Sequence, residues 1–393
     1  MIDQYRLQRY IGRILSDGNR VSFCCTKAGF GSQSVRVCAK DCDNGTAVIL
    51  HGVAYCSSIW TCPVCGRILR RRRAERTTDI FRRTMAMGYR LLFVTYTLSH
   101  TRDISASEML ERQRRAWRSF TNSRTYRDVI KRFGTGWAMR ALEITYSNTS
   151  GWHPHYHAVY AVASHVSDDV AKELYYAWAA AVLGTGSDAL PQGFNAEYVA
   201  DPEKVADYVS SWGGGDFKMG YEVSGIKLGR RGSRSPLQLA ADALDGCDAS
   251  KMAFIEYADA IRGSRAQTWS RNWRVAFDLL DDDVKEDTIS SADLIEKDAV
   301  ITLVLHTYEY ERLGRRRDDF IDCVARRDLS GVYDIFDVLG ISAVLVNVPW
   351  WLDGKGGGIV ESTSYGRAAA WYGLDADGLL PSVGPRPTGI NIP

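Results

Sequence analysis

The sequence predicts an α+β fold: a central antiparallel sheet with flanking helices, preceded by a cysteine-rich segment and followed by a separate C-terminal region. Three observations predict it. Runs rich in β-branched and aromatic residues recur at 89–98, 137–146 and 155–162. The second and third are joined by a turn at 148–152, which makes an antiparallel hairpin. Segments of helical period with capping signals lie between and after these runs.

Taken in order, residues 1–50 are mixed, and Gly29, Gly31 and Gly45 suggest turns. Residues 67–83 read as a basic helix with sparse apolar positions at Ile68, Leu69, Ile80 and Phe81. After the strand at 89–98, Ser105-Ala-Ser-Glu108 is a capping-box pattern that opens a helix carrying Leu110, Trp117 and Phe120 in phase. The hairpin follows, then a helix over about 168–183 with Val170, Leu174 and Trp178 in phase. Asp201-Pro202 is an N-cap with proline at the first helical position, so a helix is expected over about 202–212, ended by three glycines. Ser235-Pro236 starts a short helix, and 251–262 is an amphipathic one. Residues 281–298 are acidic, two strand-like runs fall within 300–350, and the tail from Pro381 is irregular. The expected segments are 1–85 (cysteine-rich knuckle and basic helix), 86–245 (central sheet domain), 246–300 (helical extension) and 301–393 (C-terminal region).

The chain has 393 residues, 45% hydrophobic and 24% charged, as in an ordinary globular protein. No run of about 18 apolar residues exists, so no membrane span is expected, and a cytoplasmic location is. The net charge of +2 hides a division. Residues 1–150 hold 26 Lys/Arg against 11 Asp/Glu, or +15; the remaining residues hold 23 against 36, or −13. Most of the excess is arginine, which suits bidentate phosphate contact, so the N-terminal half reads as polyanion-binding. The candidate DNA contacts are Arg70, Arg71, Arg72 and Arg73 on the basic helix and Lys227, Arg230 and Arg231 further on.

Seven of nine cysteines lie between Cys24 and Cys65. In an intracellular chain such a cluster points to metal rather than to disulfides. Cys62-Pro-Val-Cys65 is a knuckle. Cys38, Cys42, Cys56 and His51 are candidates to complete a structural Zn²⁺ site, with Cys38, Cys56, Cys62 and Cys65 the favoured four. A second metal signal is GWHPHYHAVY at 151–160. On a strand, His155 and His157 point to one face, and Glu143 on the preceding strand brings a carboxylate across the hairpin. Two imidazoles and one carboxylate suit a divalent ion with positions left open for a phosphate. Tyr208, in the helix after Pro202, supplies a phenol that could attack such a phosphate.

These motifs, CSSIWTCPVCG (56–66), FVTYTLSH (93–100), ALEITY with GWHPHYHAVY (141–160), VADYVSSW (205–212) and SRSPLQLA with TWSRNWR (268–274), stand in an order that resembles the HUH endonucleases. The resemblance is to the rolling-circle replication initiators of small bacterial plasmids, in their actinobacterial-type branch, over roughly residues 38–300. It implies an HUH nuclease core with His155, His157 and Glu143 holding Mn²⁺ or Mg²⁺ and Tyr208 as the nucleophile. Thr95 and Thr97 fall on the family's threonine-rich strand. It further implies site-specific nicking and joining of single-stranded origin DNA through a 5′-phosphotyrosine, with release of a 3′-OH primer. Host helicase and DNA polymerase are implied partners, since the chain carries no G-x-x-x-x-G-K-[ST] loop. The sequence departs from the family where many relatives have lysine (Ser211 here) and where some have an acid (Lys204 here). Tyr221 is the alternative nucleophile. Competing readings are a phage replication protein, a relaxase or transposase with the same chemistry, a zinc-dependent DNA-binding regulator without enzyme activity, and a 2-His-1-carboxylate iron oxygenase.

Overall fold

The computed structural model describes residues 4–15, 18–42, 45–167, 169–211, 233–278, 289, 299–345 and 351. In chain order the elements begin with α1 (Gln4–Ile14), β1 (Ser34–Cys42), β2 (Gly45–His51), α2 (Pro63–Ala86), β3 (Arg90–Tyr96), α3 (Ala106–Asn122) and α4 (Arg124–Phe133). There follow β4 (Ala138–Ser147), β5 (Gly151–Val162), α5 (Val170–Leu183), β6 (Asn195–Tyr198), α6 (Pro202–Ser211), α7 (Pro236–Leu244), α8 (Asp248–Ala260), β7 (Gln267–Trp269) and α9 (Arg271–Ala276). The chain continues with β8 (Val300–His306), α10 (Thr307–Arg312), α11 (Arg317–Ala325), α12 (Leu329–Leu339) and β9 (Ala343–Leu345). This is the α+β composition that the sequence predicts.

The chain forms two compact units, residues 1–23 with 56–293, and residues 24–55 with 294–393. Residues 24–55 leave the first unit to make the β1–β2 hairpin, and β1 then pairs with β8 from the far end of the chain. That long-range pairing leaves no local trace in sequence.

The first unit is built on a five-stranded antiparallel sheet in the order β6-β3-β5-β4-β7. Alternation along the strands sorts its two faces. Leu91, Phe93, Met139, Ala141, Val159, Ala161 and Trp269 pack with Ile80 and Phe81 of α2, Ala206 of α6 and Trp273 of α9. The opposite face presents Tyr96, Tyr156 and Tyr160 to an aromatic layer of Trp117, Phe120, Phe133 and Trp178 from α3, α4 and α5. The indole N–H of Trp178 is satisfied by the Thr97 carbonyl at 2.7 Å, which lets so large a ring be fully buried.

Local signals explain the helix ends. Ser105 caps α3 by accepting from the Glu108 N–H at 3.2 Å, but the Glu108 carboxylate turns to Arg112 at 2.8 Å, so the capping box is half made. Ser235 and Gln238 make a complete box at α7. The hairpin differs from expectation at β5, which starts at Gly151, not at His155. Pro154 reads as a strand breaker. It is tolerated because β3 pairs only as far as Tyr156, so at Pro154 the strand has only β4 beside it. A three-residue loop at 148–150 closes the hairpin, with Gly151 in the left-handed region at φ +78°.

The second unit carries a four-stranded antiparallel sheet, β2-β1-β8-β9. Thr302 on β8 donates to the Val37 carbonyl at 3.1 Å, and Phe320 of α11 stacks on Phe336 of α12. Among the described residues, no helix is long and apolar enough to cross a membrane.

Candidate functional site

The hairpin register brings the first metal group together. Glu143 on β4 is directly opposite His155 on β5, and Ala141 is opposite His157. Glu143, His155 and His157 therefore share the sheet face that α2 and α6 cover. Glu143 Oε2 lies 3.0 Å from His155 Nε2 and 2.9 Å from His157 Nε2, and all three residues are buried. The neighbours orient the rings. His155 Nδ1 donates to the His153 carbonyl at 3.2 Å, and His157 Nδ1 is 3.1 Å from the Thr95 hydroxyl. Each ring thus turns Nε2 toward the carboxylate, an arrangement of supporting partners that metal-binding histidines use. Phe93 stacks on the His157 ring with centroids 5.4 Å apart.

Electrostatics follow from burial and pairing. Burial opposes ionisation of Glu143, but the adjacent imidazoles outweigh it and hold the carboxyl well below the usual carboxylate range. Burial lowers His155, and the Glu143 carboxylate overrides it, leaving His155 above the ordinary imidazole value. For His157 burial wins and the value falls. The donor set fits a divalent ion. The ligand atoms lie within 4.8 Å of one another. Ligands at about 2.1 Å from one octahedral ion stand roughly 3 Å apart, which matches the spacing around Glu143.

Two histidines escaped the sequence reading. His153 stacks on His155 with centroids 4.8 Å apart, and His100, just beyond β3, stacks on His153 at 4.4 Å. Burial, then the charge of His155, push His153 down to about 2. The available signal was the full H-x-H-x-H period of His153, His155 and His157; assigning 148–152 to a turn and starting the strand at His155 concealed it. Tyr208 lies on α6, two residues past Ala206, on a helix packed over the histidine-bearing face. Its side chain, Tyr221, Lys227, Arg230 and Arg231 lie outside what the structure describes.

A second group gathers where the chain enters α2. Cys56, Cys62 and Cys65 are buried, with ligand atoms within 4.8 Å of one another. The Cys56 and Cys65 sulfurs are 3.6 Å apart, close to the roughly 3.8 Å edge of a tetrahedron with 2.3 Å Zn–S bonds. Cys62 is the N-cap of α2, and its sulfur accepts from the Cys65 N–H at 3.4 Å; the Cys56 sulfur accepts from the Ser58 N–H at 3.5 Å. Such bonds favour thiolates. Cys38 is held in β1 opposite Ile49 and Ile301, where burial pushes its thiol up to about 11.

The arginines of α2 are not one exposed stripe. Arg70 and Arg73 are buried, while Arg71 and Arg72 are partly exposed. Arg70 donates to the Ile59 carbonyl at 3.0 Å, and burial lowers its guanidinium to about 10. Arg70 is thereby committed to holding the knuckle loop on the helix.

Comparison with known proteins adds partial similarity. The chain is 28% identical over 144 residues to a Streptomyces lividans protein named Protein rep, covering 30% of this chain and 31% of that protein. It is 29% identical over 142 residues to a Streptomyces cyanogenus protein named Neomycin resistance protein, covering 30% and 32%. The chain thus spans less than a third of the length of these curated relatives. No family model matches, and no solved structure does.

Proposed function

We propose that this chain is a plasmid rolling-circle replication initiator of the HUH type, nicking and rejoining single-stranded origin DNA. The observation that carries the reading is the convergence of Glu143, His155 and His157 on one buried point, beneath the helix that bears Tyr208. The name Protein rep on one relative agrees with it. The other relative's name speaks of neomycin resistance, and the metal group supports the replication reading of the two.

In this reading Glu143, His155 and His157 hold Mn²⁺ or Mg²⁺, which when bound polarises a phosphoryl oxygen of the DNA. Thr95 and the His153 carbonyl keep the two imidazoles aimed. The Tyr208 oxygen attacks the scissile phosphorus, the bond to the 3′ oxygen breaks, and that oxygen takes a proton to become the free 3′-OH primer. One phosphodiester replaces another, so the strand is resealed by the reverse exchange without ATP. A Zn²⁺ held by Cys56, Cys62 and Cys65 with a fourth thiolate is structural, setting the loop before α2. Arg71 and Arg72, with Lys227, Arg230 and Arg231, contact DNA phosphates. Strand separation and synthesis fall to a host helicase and polymerase. Residues 86–245 contain the nuclease core, with 246–300 as its extension.

The test is incubation of the purified chain with labelled single-stranded oligonucleotides from its own replicon and Mn²⁺, followed by denaturing gels. A metal-dependent protein–DNA adduct that disappears in Tyr208→Phe is expected. An adduct that survives in Tyr208→Phe sinks the assignment of the nucleophile. Duplex binding lost on zinc chelation, with no adduct on any oligonucleotide, moves the reading to a zinc-dependent regulator.

A further inference from the structure

Beside the metal group three imidazoles stand in file. His155 belongs to the group, His153 stacks on it with centroids 4.8 Å apart, and His100 stacks on His153 at 4.4 Å. His153 and His155 are two apart on β5, so the file lies on the metal-bearing face of the sheet. It leads outward: His155 is buried, whereas His153 and His100 are partly exposed. Burial holds the His100 imidazole below its ordinary value, so the ring carries no charge near neutral pH.

The segment that carries His100 is pinned on both sides. The Ser99 N–H donates to the Asp188 carbonyl at 2.7 Å, and the Asp188 N–H donates to the Ser99 hydroxyl at 2.9 Å. Two residues beyond His100, Arg102 lies against the hairpin turn, where a Cβ on Gly151 would stand 2.8 Å from the Arg102 Cα. Arg102 is exposed, and its guanidinium makes no ion pair or hydrogen bond among the described residues. An imidazole face and a guanidinium side by side supply the two contacts that a nucleotide takes: stacking for its base and charge-assisted hydrogen bonds for its phosphate. A base added at the next step of the file, roughly 4–5 Å beyond His100, belongs to a nucleotide close to the one whose phosphate meets the metal group.

We propose that His100 and Arg102 form a nucleotide subsite beside the metal group, His100 stacking on one unpaired base and Arg102 holding a phosphate of the same DNA strand. The proposal rests on the nicking reading for the identity of the strand and adds to it the residues that seat a base next to the cut. The two contacts differ in their response to salt. A neutral ring releases no counterion when it stacks on a base, whereas a guanidinium that neutralises a phosphate does.

The experiment uses the full chain without added Mn²⁺, so that changes at the ion do not enter. A fluorescein-labelled 12-mer oligothymidylate is followed by anisotropy across a salt series, and thermal melts confirm that each variant is folded. His100→Ala is expected to bind about tenfold more weakly with its salt slope unchanged, and His100→Phe to keep most of the affinity. Arg102→Ala is expected to bind more weakly and to lower the slope of log K against log salt by about 0.7, the value for one phosphate. On an abasic 12-mer, the wild type and His100→Ala are expected to bind alike, while Arg102→Ala stays weaker. Wild-type affinity in both alanine variants overturns the subsite. A loss in His100→Ala that persists undiminished on the abasic strand overturns the base contact, and an unchanged slope in Arg102→Ala overturns the phosphate contact. Adduct formation by the wild type on replicon DNA, with both alanine variants binding normally, removes the subsite and leaves the nicking reading intact. Weaker binding in the variants, with no adduct from the wild type, retains the subsite and removes nicking.

Discussion

Glu143 and His155 face each other across the β4–β5 ladder, and one Glu143 oxygen lies 3.0 Å from the His155 Nε2 while also reaching His157 at 2.9 Å. A single carboxylate oxygen therefore holds both imidazoles. Glu143→Gln preserves the shape and removes the charge. Mn²⁺ affinity measured by calorimetry is expected to fall at least tenfold. Unchanged affinity would remove Glu143 from the metal group.

The ring of His153 supports the site by stacking on His155. Its carbonyl, which accepts from His155, belongs to the main chain and survives substitution. His153→Ala is expected to weaken Mn²⁺ binding about tenfold, and His153→Phe, which keeps a stacking ring, to retain most of it. Equal losses in both would point to a role for the His153 nitrogens.

Zinc stoichiometry tests the knuckle. The wild type is expected to retain one equivalent of tightly held Zn²⁺ by elemental analysis, and Cys62→Ser to release it to a chelator far more readily. Zinc held equally tightly in Cys62→Ser contradicts the arrangement.

The buried Cys38 thiol also predicts an alkaline limit. Its value in the fold, about 11, exceeds the roughly 8.5 of an unfolded cysteine, so above that lower value the unfolded chain loses a proton that the folded chain keeps. The stabilisation is complete below about pH 8.5 and is lost as pH rises through about 11. Cys38→Val is expected to flatten the fall in urea midpoint between pH 8.5 and 10.5. An unchanged slope refutes the account.

Gly151 sets the hairpin register. A Cβ there would lie 2.8 Å from both the Arg102 Cα and the Thr101 carbonyl oxygen, in a left-handed conformation. Gly151→Ala is expected to cost about 1–3 kcal/mol in urea unfolding. It should also weaken Mn²⁺ binding, since the register aligns Glu143 with His155. A variant as stable as wild type would show that the turn adapts.

Much of the site was legible because strands have period two: His155, His157 and Glu143 could be set on one face from spacing alone. His153 was missed because the strand was started at His155, and only the pairing of β5 with β4 down to Gly151 sets it in the same period. The knuckle was legible from Cys62 and Cys65, two ligands in one helical turn. Arginine content signalled a basic helix without revealing that Arg70 and Arg73 turn inward.

The sequence alone therefore determined the α+β composition, the order of the central strands and helices, the Glu-His-His group and the cysteine-rich entry to α2. Each follows from short-range periodicity, capping or spacing, which neighbouring residues fix among themselves. The tertiary structure decided the rest: the pairing of β1 with β8 and the burial of individual arginines. Those features depend on residues tens to hundreds of positions apart meeting in space, and a linear pattern carries no record of such meetings.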